Sequence, residues 1–303
     1  VEAAVSSVST TDQPEEAELQ PASAGWVWPD DYVPLDADRL RVRPDFVPVF
    51  HARGWTSAVA VLSDPRIKCW RRLPDRDNCV VELPRSTDER LVRAHCKRHR
   101  TRRSWLSRLL AIPSPGIAEA NVVGRCQRLG IPTISIIAAG EVADSQNGPM
   151  RSFLMTQELQ GAVPADDYWR SALGPPGASD PAARRRLLTA MARIASRLHR
   201  AGLFHRDFYW CHFLVHRDTA GRFRVHLIDL QRVAKRRILR WRWLLKDLAQ
   251  FVFSMPEANL SEAEKRFWFC SYLGVERLSW AQWMAYRVIL WRAELYRWKE
   301  GPR

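Results

Sequence analysis

Two carboxylates, Asp207 and Asp229, stand in surroundings that suit phosphoryl transfer. The first lies in His205-Arg206-Asp207-Phe208-Tyr209-Trp210-Cys211-His212 and the second in Leu227-Ile228-Asp229-Leu230. A carboxylate on a rigid turn can orient an attacking hydroxyl and accept its proton. A second one, at the end of the next strand, can hold the magnesium that bridges the phosphates of ATP. Asp207 is therefore the candidate base, with His205 and Arg206 completing its turn as candidate catalytic residues, and Asp229 is the candidate Mg2+ ligand. His212 is the second candidate at the metal, but it offers nitrogen to an ion that favours oxygen, so either the site uses one magnesium or His212 serves by hydrogen bonding; a packed structural histidine is the alternative.

The nucleotide needs cations and a cradle. Lys97 follows a predicted strand and can reach the α- and β-phosphates, with Glu119 on the next helix holding its ammonium. It sits among Arg93, Arg98, Arg100, Arg102 and Arg103, a cluster that reads equally well as a solvated face or an anion-binding patch. The turn Leu73-Pro74-Asp75-Arg76-Asp77-Asn78 has no glycine, so phosphate contact there would need backbone amides or Arg76. Glu158, entering a hinge near residues 159–161, is a further candidate for cofactor binding.

The elements that must position these residues are legible as patterns. Short β-prone runs at 67–72, 79–83 and 91–96, separated by turn formers, predict a small antiparallel sheet. Ser114-Pro115 opens a helix to Leu129, with Ala118, Val122, Cys126 and Leu129 as its apolar face. Runs at 134–138 and 152–158 complete five strands and one helix before the hinge. A loop is expected over 162–180. Asp180 and Pro181 then start a helix whose Leu187, Met191, Ile194 and Leu198 recur until Gly202. Short strands at 213–216 and 225–230 follow, the latter carrying the second carboxylate near its end. Helices follow at about 241–253, 261–273 and 280–298, the second opening with the capping-box pattern Ser261-Glu262-Ala263-Glu264. Met284, Val288, Trp291, Leu295 and Trp298 form a stripe on the third. The fold class is thus α+β, a two-lobed arrangement of small sheet and mainly helical lobe with ATP in the cleft. Its expected divisions are 1–40, an acidic flexible segment, 41–160 and 161–303.

The net charge of +14 divides into −9 on residues 1–38 and +23 on the remainder. Such a body favours anionic partners. No run of about twenty apolar residues predicts a membrane span. Six scattered cysteines without a C-x-x-C pair predict neither a zinc site nor a disulfide framework, and a reducing, cytoplasmic setting.

The block His205-Arg206-Asp207-Phe208-Tyr209-Trp210-Cys211-His212-Phe213-Leu214 closely resembles the catalytic segment of bacterial lipopolysaccharide core kinases, which phosphorylate heptose or Kdo sugars. Ala118-Glu119, Leu129-Gly130-Ile131-Pro132-Thr133, the run from Ser152 to Leu159, the run from Leu227 to Val233, and Lys246-Asp247-Leu248 follow in the same order. The resemblance spans about residues 67–272. It implies a protein-kinase-like fold, ATP with magnesium, and a lipid-linked core sugar as acceptor at the cytoplasmic face. Asp207 would be the base, Asp229 the metal ligand, Lys97 the phosphate-contacting lysine and Glu119 its partner. An anionic membrane surface is then an expected partner; Arg232, Lys235, Arg236, Arg237, Arg240 and Arg242, interleaved with Trp241 and Trp243, read as a membrane-facing patch, a substrate-facing one, or a solvated basic surface beside a helix. No nucleic acid is expected. The competing readings are a non-catalytic kinase-like binding module and a basic nucleic-acid-binding protein.

Overall fold

The computed structural model describes residues 31–36, 39–88, 90–101, 112–142, 150–174, 180–217, 222–256 and 260–300. Most of the acidic start, and Arg102 and Arg103, lie outside them. The sheet begins earlier than the sequence patterns suggest. β1 (Val33–Leu35) and β2 (Leu40–Val42) pair antiparallel and join β6 (Ile136–Val142), β7 (Met150–Gln157), β5 (Leu91–Thr101), β4 (Arg76–Pro84) and β3 (Lys68–Arg72) in the order β1-β2-β6-β7-β5-β4-β3. A segment expected to be flexible through residue 40 thus contributes an edge strand. Tyr32 anchors it, donating its hydroxyl to the Ile136 carbonyl at 2.7 Å.

Two short helices were not legible in the sequence: α1 (Val47–Ala52) and α2 (Ala58–Ser63), the latter capped by the Ser57 side chain on the Ala60 amide. They cover one face of the sheet, with Phe46, Phe50, Trp55 and Val61 buried against Leu83, Ala94, Cys96 and Phe153. The other face carries α3 (Pro115–Arg128). Its buried side is Ile117, Ala120, Val123 and Cys126, rotated from the expected face of Ala118, Val122, Cys126 and Leu129, of which Cys126 is buried and Val122 and Leu129 are half-buried. The reason is close approach: a Cβ on Gly116 would lie 2.9 Å from the Phe153 backbone, so the helix start sits directly on β7. That rotation turns Glu119 inward.

Residues 163–173, expected as loop, hold β8 (Val163–Pro164), the single turn α4 (Ala165–Tyr168) and a π-helical turn over Trp169–Leu173. Residues 175–179 of that loop lie outside the described residues. α5 (Pro181–Arg200) starts as the sequence predicts, the Asp180 carboxylate accepting from the Ala182 and Ala183 amides. β9 (Leu203–Phe204), β10 (Phe213–Arg217), β11 (Phe223–Leu227) and β12 (Ala234–Lys235) form two small sheets, and α6 (Arg240–Phe253), α7 (Glu262–Leu273) and α8 (Trp280–Glu300) complete the chain. α3 shares one continuous core with this helical part, through Leu187, Met191, Leu227 and Phe251.

One expectation about side chains is corrected. Cys69 and Cys79, ten residues apart, face each other across the β3–β4 hairpin and are disulfide-bonded; only the strand register could reveal that pairing. The stripe on α8 is outward: Trp291 is 61% and Trp298 80% exposed, while Tyr286, Ile289 and Ala293 are the buried face. α8 is apolar on more than one side, so periodicity could not choose between them.

The capping box at α7 is present and extends into the core. Glu264 accepts from the Ser261 amide, and its carboxylate takes Arg184 Nε and Nη2 at 2.5 and 3.0 Å. Arg184 is buried, donates also to the carbonyl of Gly174 and lies over the Trp169 ring at 4.2 Å. Glu264→Ala is expected to destabilise the fold by about 3–5 kcal/mol, because a buried guanidinium loses its counter-charge. A denaturant midpoint equal to wild type would contradict this. Burial pushes the Glu264 carboxyl up, but the bonds from Arg184 and Ser261 outweigh it and hold it below the ordinary value. The folded pKa is therefore the lower one. The stabilisation is fully present above the unfolded value of about 4.3 and is lost as pH falls through the folded pKa.

Candidate active site

A cavity of about 610 Å³ lies between the sheet and the helical part. Its walls include Trp70, His95 and Lys97 from the sheet, Gln157, Glu158 and Leu159 at the hinge, and His212, Ile228 and Asp229 from below. Along β5 side chains alternate, so His95 and Lys97 share the cavity face. Lys97 Nζ donates to Glu119 Oε1 at 2.7 Å and to Asp229 Oδ1 at 3.3 Å. Burial alone would lower the lysine pKa, but the two carboxylates raise it above its ordinary value. Asp229 shifts the opposite way: burial raises it, and Lys97 with His212 more than compensates, leaving it depressed. Both groups are thereby charged at neutral pH.

Asp229 occupies the left-handed region at φ 57°, unfavourable for an aspartate and held by its neighbours. The Ile228 amide donates to the His212 carbonyl, and Thr133 donates to the Leu227 carbonyl. His212 links the two carboxylate residues. Its Nδ1 lies 2.7 Å from the Asp207 carbonyl, which can only accept, so in the neutral ring Nε2 carries the lone pair. That nitrogen is 3.7 Å from Asp229 Oδ2. Two facing acceptors repel unless a proton or a cation joins them, and a hydrogen bond on the far nitrogen is the usual arrangement of a metal-ligating imidazole. The residues present therefore fit a divalent ion. Among the described residues no three His, Cys, Asp or Glu side chains form a metal-holding group, so phosphate and water oxygens would complete the shell, as suits Mg2+.

Asp207 lies at the rim of this arrangement, its carboxylate paired with Arg232 Nη1 at 2.8 Å. Its backbone is fixed from behind by α6. Buried Asp247 accepts the His205 and Arg206 amides at 2.7 and 2.8 Å, Gln250 accepts the Phe208 amide, and Ser254 accepts the Trp210 amide. These three residues, at i, i+3 and i+7, share one helix face and satisfy four amide donors of the turn. Arg206 adopts φ 73° there. The positioning role of Asp247, Gln250 and Ser254 was missed in the sequence. Its signal was polar residues at helical spacing within the apolar run Leu248, Ala249, Phe251 and Val252.

Three candidates are relocated. His205 is fully buried, its Nε2 donating to the Ile228 carbonyl, and burial lowers its pKa. It cannot reach a substrate and instead braces the two carboxylate segments. Arg206 turns its guanidinium over Trp243, 5.4 Å from the ring centre, away from a catalytic role. Arg76 donates to Gln231 at 2.5 Å and is outside the cavity wall, while the Leu73 amide is taken by the Arg76 carbonyl. The glycine-free turn is thus a closed hairpin, with the Arg76 side chain turned to Gln231. Glu158 does line the cavity and pairs with His95 and Arg93 at 2.9 and 3.3 Å. Arg98 and Arg100 are consumed by the Val61 and Asp64 carbonyls and by Asp77, which weakens the nucleic-acid reading of that cluster.

Comparison with known proteins identifies the family. Residues 79–272 match the model of the lipopolysaccharide kinase (Kdo/WaaP) family. The chain is 36% identical over 153 residues to the lipopolysaccharide core heptose(I) kinase WaaP of Pseudomonas aeruginosa, covering 48% of this chain and 55% of the relative. It is 32% identical over 172 residues to that of Escherichia coli, covering 54% and 63%. The chain thus spans somewhat over half the length of the curated relatives it matches. A solved structure of WaaP in complex with acyl carrier protein superposes with a TM-score of 0.63 at 25% identity, covering 85% of this chain and 97% of that one. With the expected order of sheet, helix, hinge and helical part in place, the fold is protein-kinase-like, and the chain belongs to the lipopolysaccharide kinase (Kdo/WaaP) family.

Proposed function

We propose that this protein transfers the γ-phosphoryl group of ATP to a sugar hydroxyl, heptose or Kdo, of lipopolysaccharide core or a related glycolipid. The convergence of Lys97, Glu119 and Asp229 in one cavity, with His212 tying Asp229 to Asp207, carries the reading. Lys97, oriented by Glu119, contacts the α- and β-phosphates. Asp229 and His212 would hold the magnesium, which supplies neutralisation of phosphate charge. Asp207 orients the acceptor hydroxyl and takes its proton as the oxygen bonds to the γ-phosphorus and the β–γ bridging oxygen departs with its electrons. Arg232, now on Asp207, is placed to meet anionic groups of the acceptor. The family's core sugars are lipid-linked, and among the described residues no helix is long and apolar enough to cross a membrane. A lipid-linked acceptor would put this activity at the cytoplasmic face of an anionic membrane.

The test is phosphate transfer from γ-labelled ATP with magnesium to purified core lipopolysaccharide. Wild type is expected to label the acceptor. Lys97→Met should weaken nucleotide binding at least about tenfold, since a charge-assisted contact of about 1.5–3 kcal/mol is lost. Nucleotide binding without any transfer would instead support a binding module, and absence of both would end the proposal.

A further inference from the structure

We infer that the segment 234–243, with Ile238, Leu239 and Trp241 at its tip, is a docking surface for the headgroup region of an anionic lipid bilayer. This rests on the function proposed above for its purpose, but not for its evidence. Ile238 is 80%, Trp241 66% and Leu239 51% exposed, a group of large apolar side chains left in water. Leu239 also sits at φ 53°, in the left-handed region that leucine avoids. Such an outlier persists only where its surroundings hold it, and retention of that geometry at an exposed apolar tip points to a role outside folding.

The surrounding charge is of one sign. Lys235, Arg237, Arg240 and Arg242 are exposed, and no acidic residue occurs between Asp229 and Asp247. The Arg236 and Arg242 guanidinium groups lie 5.0 and 5.9 Å from the Trp243 ring centre. The segment is braced rather than loose. β12 pairs with β9, the Arg236 amide donates to the Gly202 carbonyl, and Arg240 donates to the His199 carbonyl.

Aliphatic tips, an interfacial tryptophan and a collar of cations match the three layers of an anionic bilayer surface: acyl chains, glycerol region and phosphates. A nucleic acid would use the cations and could stack on Trp241, but it offers nothing to Ile238 and Leu239. The position also serves the reaction. Arg232, two residues before β12, bonds Asp207, so a membrane held at this segment brings a lipid-linked hydroxyl to the side of the molecule where the candidate base lies.

The experiment is co-sedimentation of the full chain, without nucleotide or acceptor, with phosphatidylcholine vesicles containing or lacking phosphatidylglycerol. Wild type is expected to bind the anionic vesicles and not the neutral ones. Arg237→Gln should weaken binding about fivefold, the worth of one cation near an anionic surface. The pair Ile238→Asp with Trp241→Asp should weaken it at least about tenfold, while phosphate transfer to delipidated, water-soluble core oligosaccharide stays unchanged. The inference fails if wild type does not prefer anionic vesicles, or if the Ile238 and Trp241 variant binds like wild type. It also fails if Trp291→Asp on the exposed face of α8 removes binding and the tip variant does not. Binding of a DNA duplex that falls with Arg237→Gln and ignores Ile238→Asp would overturn it in favour of nucleic acid. Vesicle binding that behaves as described, with no transfer to any acceptor, leaves this inference standing and removes only the proposed activity.

Discussion

Asp207→Asn is expected to lower the turnover of phosphate transfer by about 10²–10⁴-fold, the contribution of a positioned general base, with nucleotide affinity unchanged. Asparagine keeps the shape and still offers one oxygen to Arg232, but it cannot take the acceptor proton. Affinity should hold because Asp207 is not among the residues lining the cavity proposed for the nucleotide, whereas Lys97 and Asp229 are. The split between turnover and binding is what separates a base from a structural carboxylate. A variant with wild-type turnover would remove Asp207 from the mechanism. A parallel loss of nucleotide affinity would mean that the turn itself had collapsed.

The larger structural effect is expected at Asp247. Asp247→Ala would strip acceptors from the buried His205 amide, from the half-buried Arg206 amide and from His199 at 3.3 Å. Each buried donor left without a partner costs about 1–3 kcal/mol, so the loss should be about 3–5 kcal/mol. Against a typical total of about 5–15 kcal/mol, that brings the protein close to unfolding. The left-handed geometry of Arg206 would no longer be enforced, and Asp207 would leave its position even in molecules that stay folded. Asp247→Asn keeps one acceptor oxygen and should lose about half as much stability. Urea midpoints of the two variants check the order. An alanine variant as stable as wild type would show that the helix face is not what fixes the turn.

Both outcomes depend on a division of labour that only part of the sequence exposed. The H-R-D block singled out Asp207, and an aspartate closing a short strand singled out Asp229, because these are local signals: a turn, a strand end, a fixed spacing. The same holds for Asp180 capping α5 and for the reciprocal bonds of Ser261 and Glu264. Lys97 and Glu119 were named as a pair from their places on a strand and the next helix, and they meet at 2.7 Å. His205, Arg206 and Arg76 were read from the same motifs and went elsewhere, to Ile228, Trp243 and Gln231. Residue type gives what a side chain can do, but its partner is chosen by competition among groups far apart in the chain.

What the sequence by itself determined was the inventory: the two carboxylates, the lysine and its glutamate, the bounds of the longer helices and the concentration of positive charge outside the acidic start. Those follow from short-range rules, since capping, periodicity and turn chemistry act over a few residues. Tertiary structure decided the assignments. It rotated α3 so that Glu119 faces Lys97, joined Cys69 to Cys79 through strand register, set Arg232 on Asp207 and left the stripe of α8 in water. Each of those depends on which surfaces two distant segments present to each other, and burial and hydrogen-bond satisfaction settle that only when the whole chain is packed.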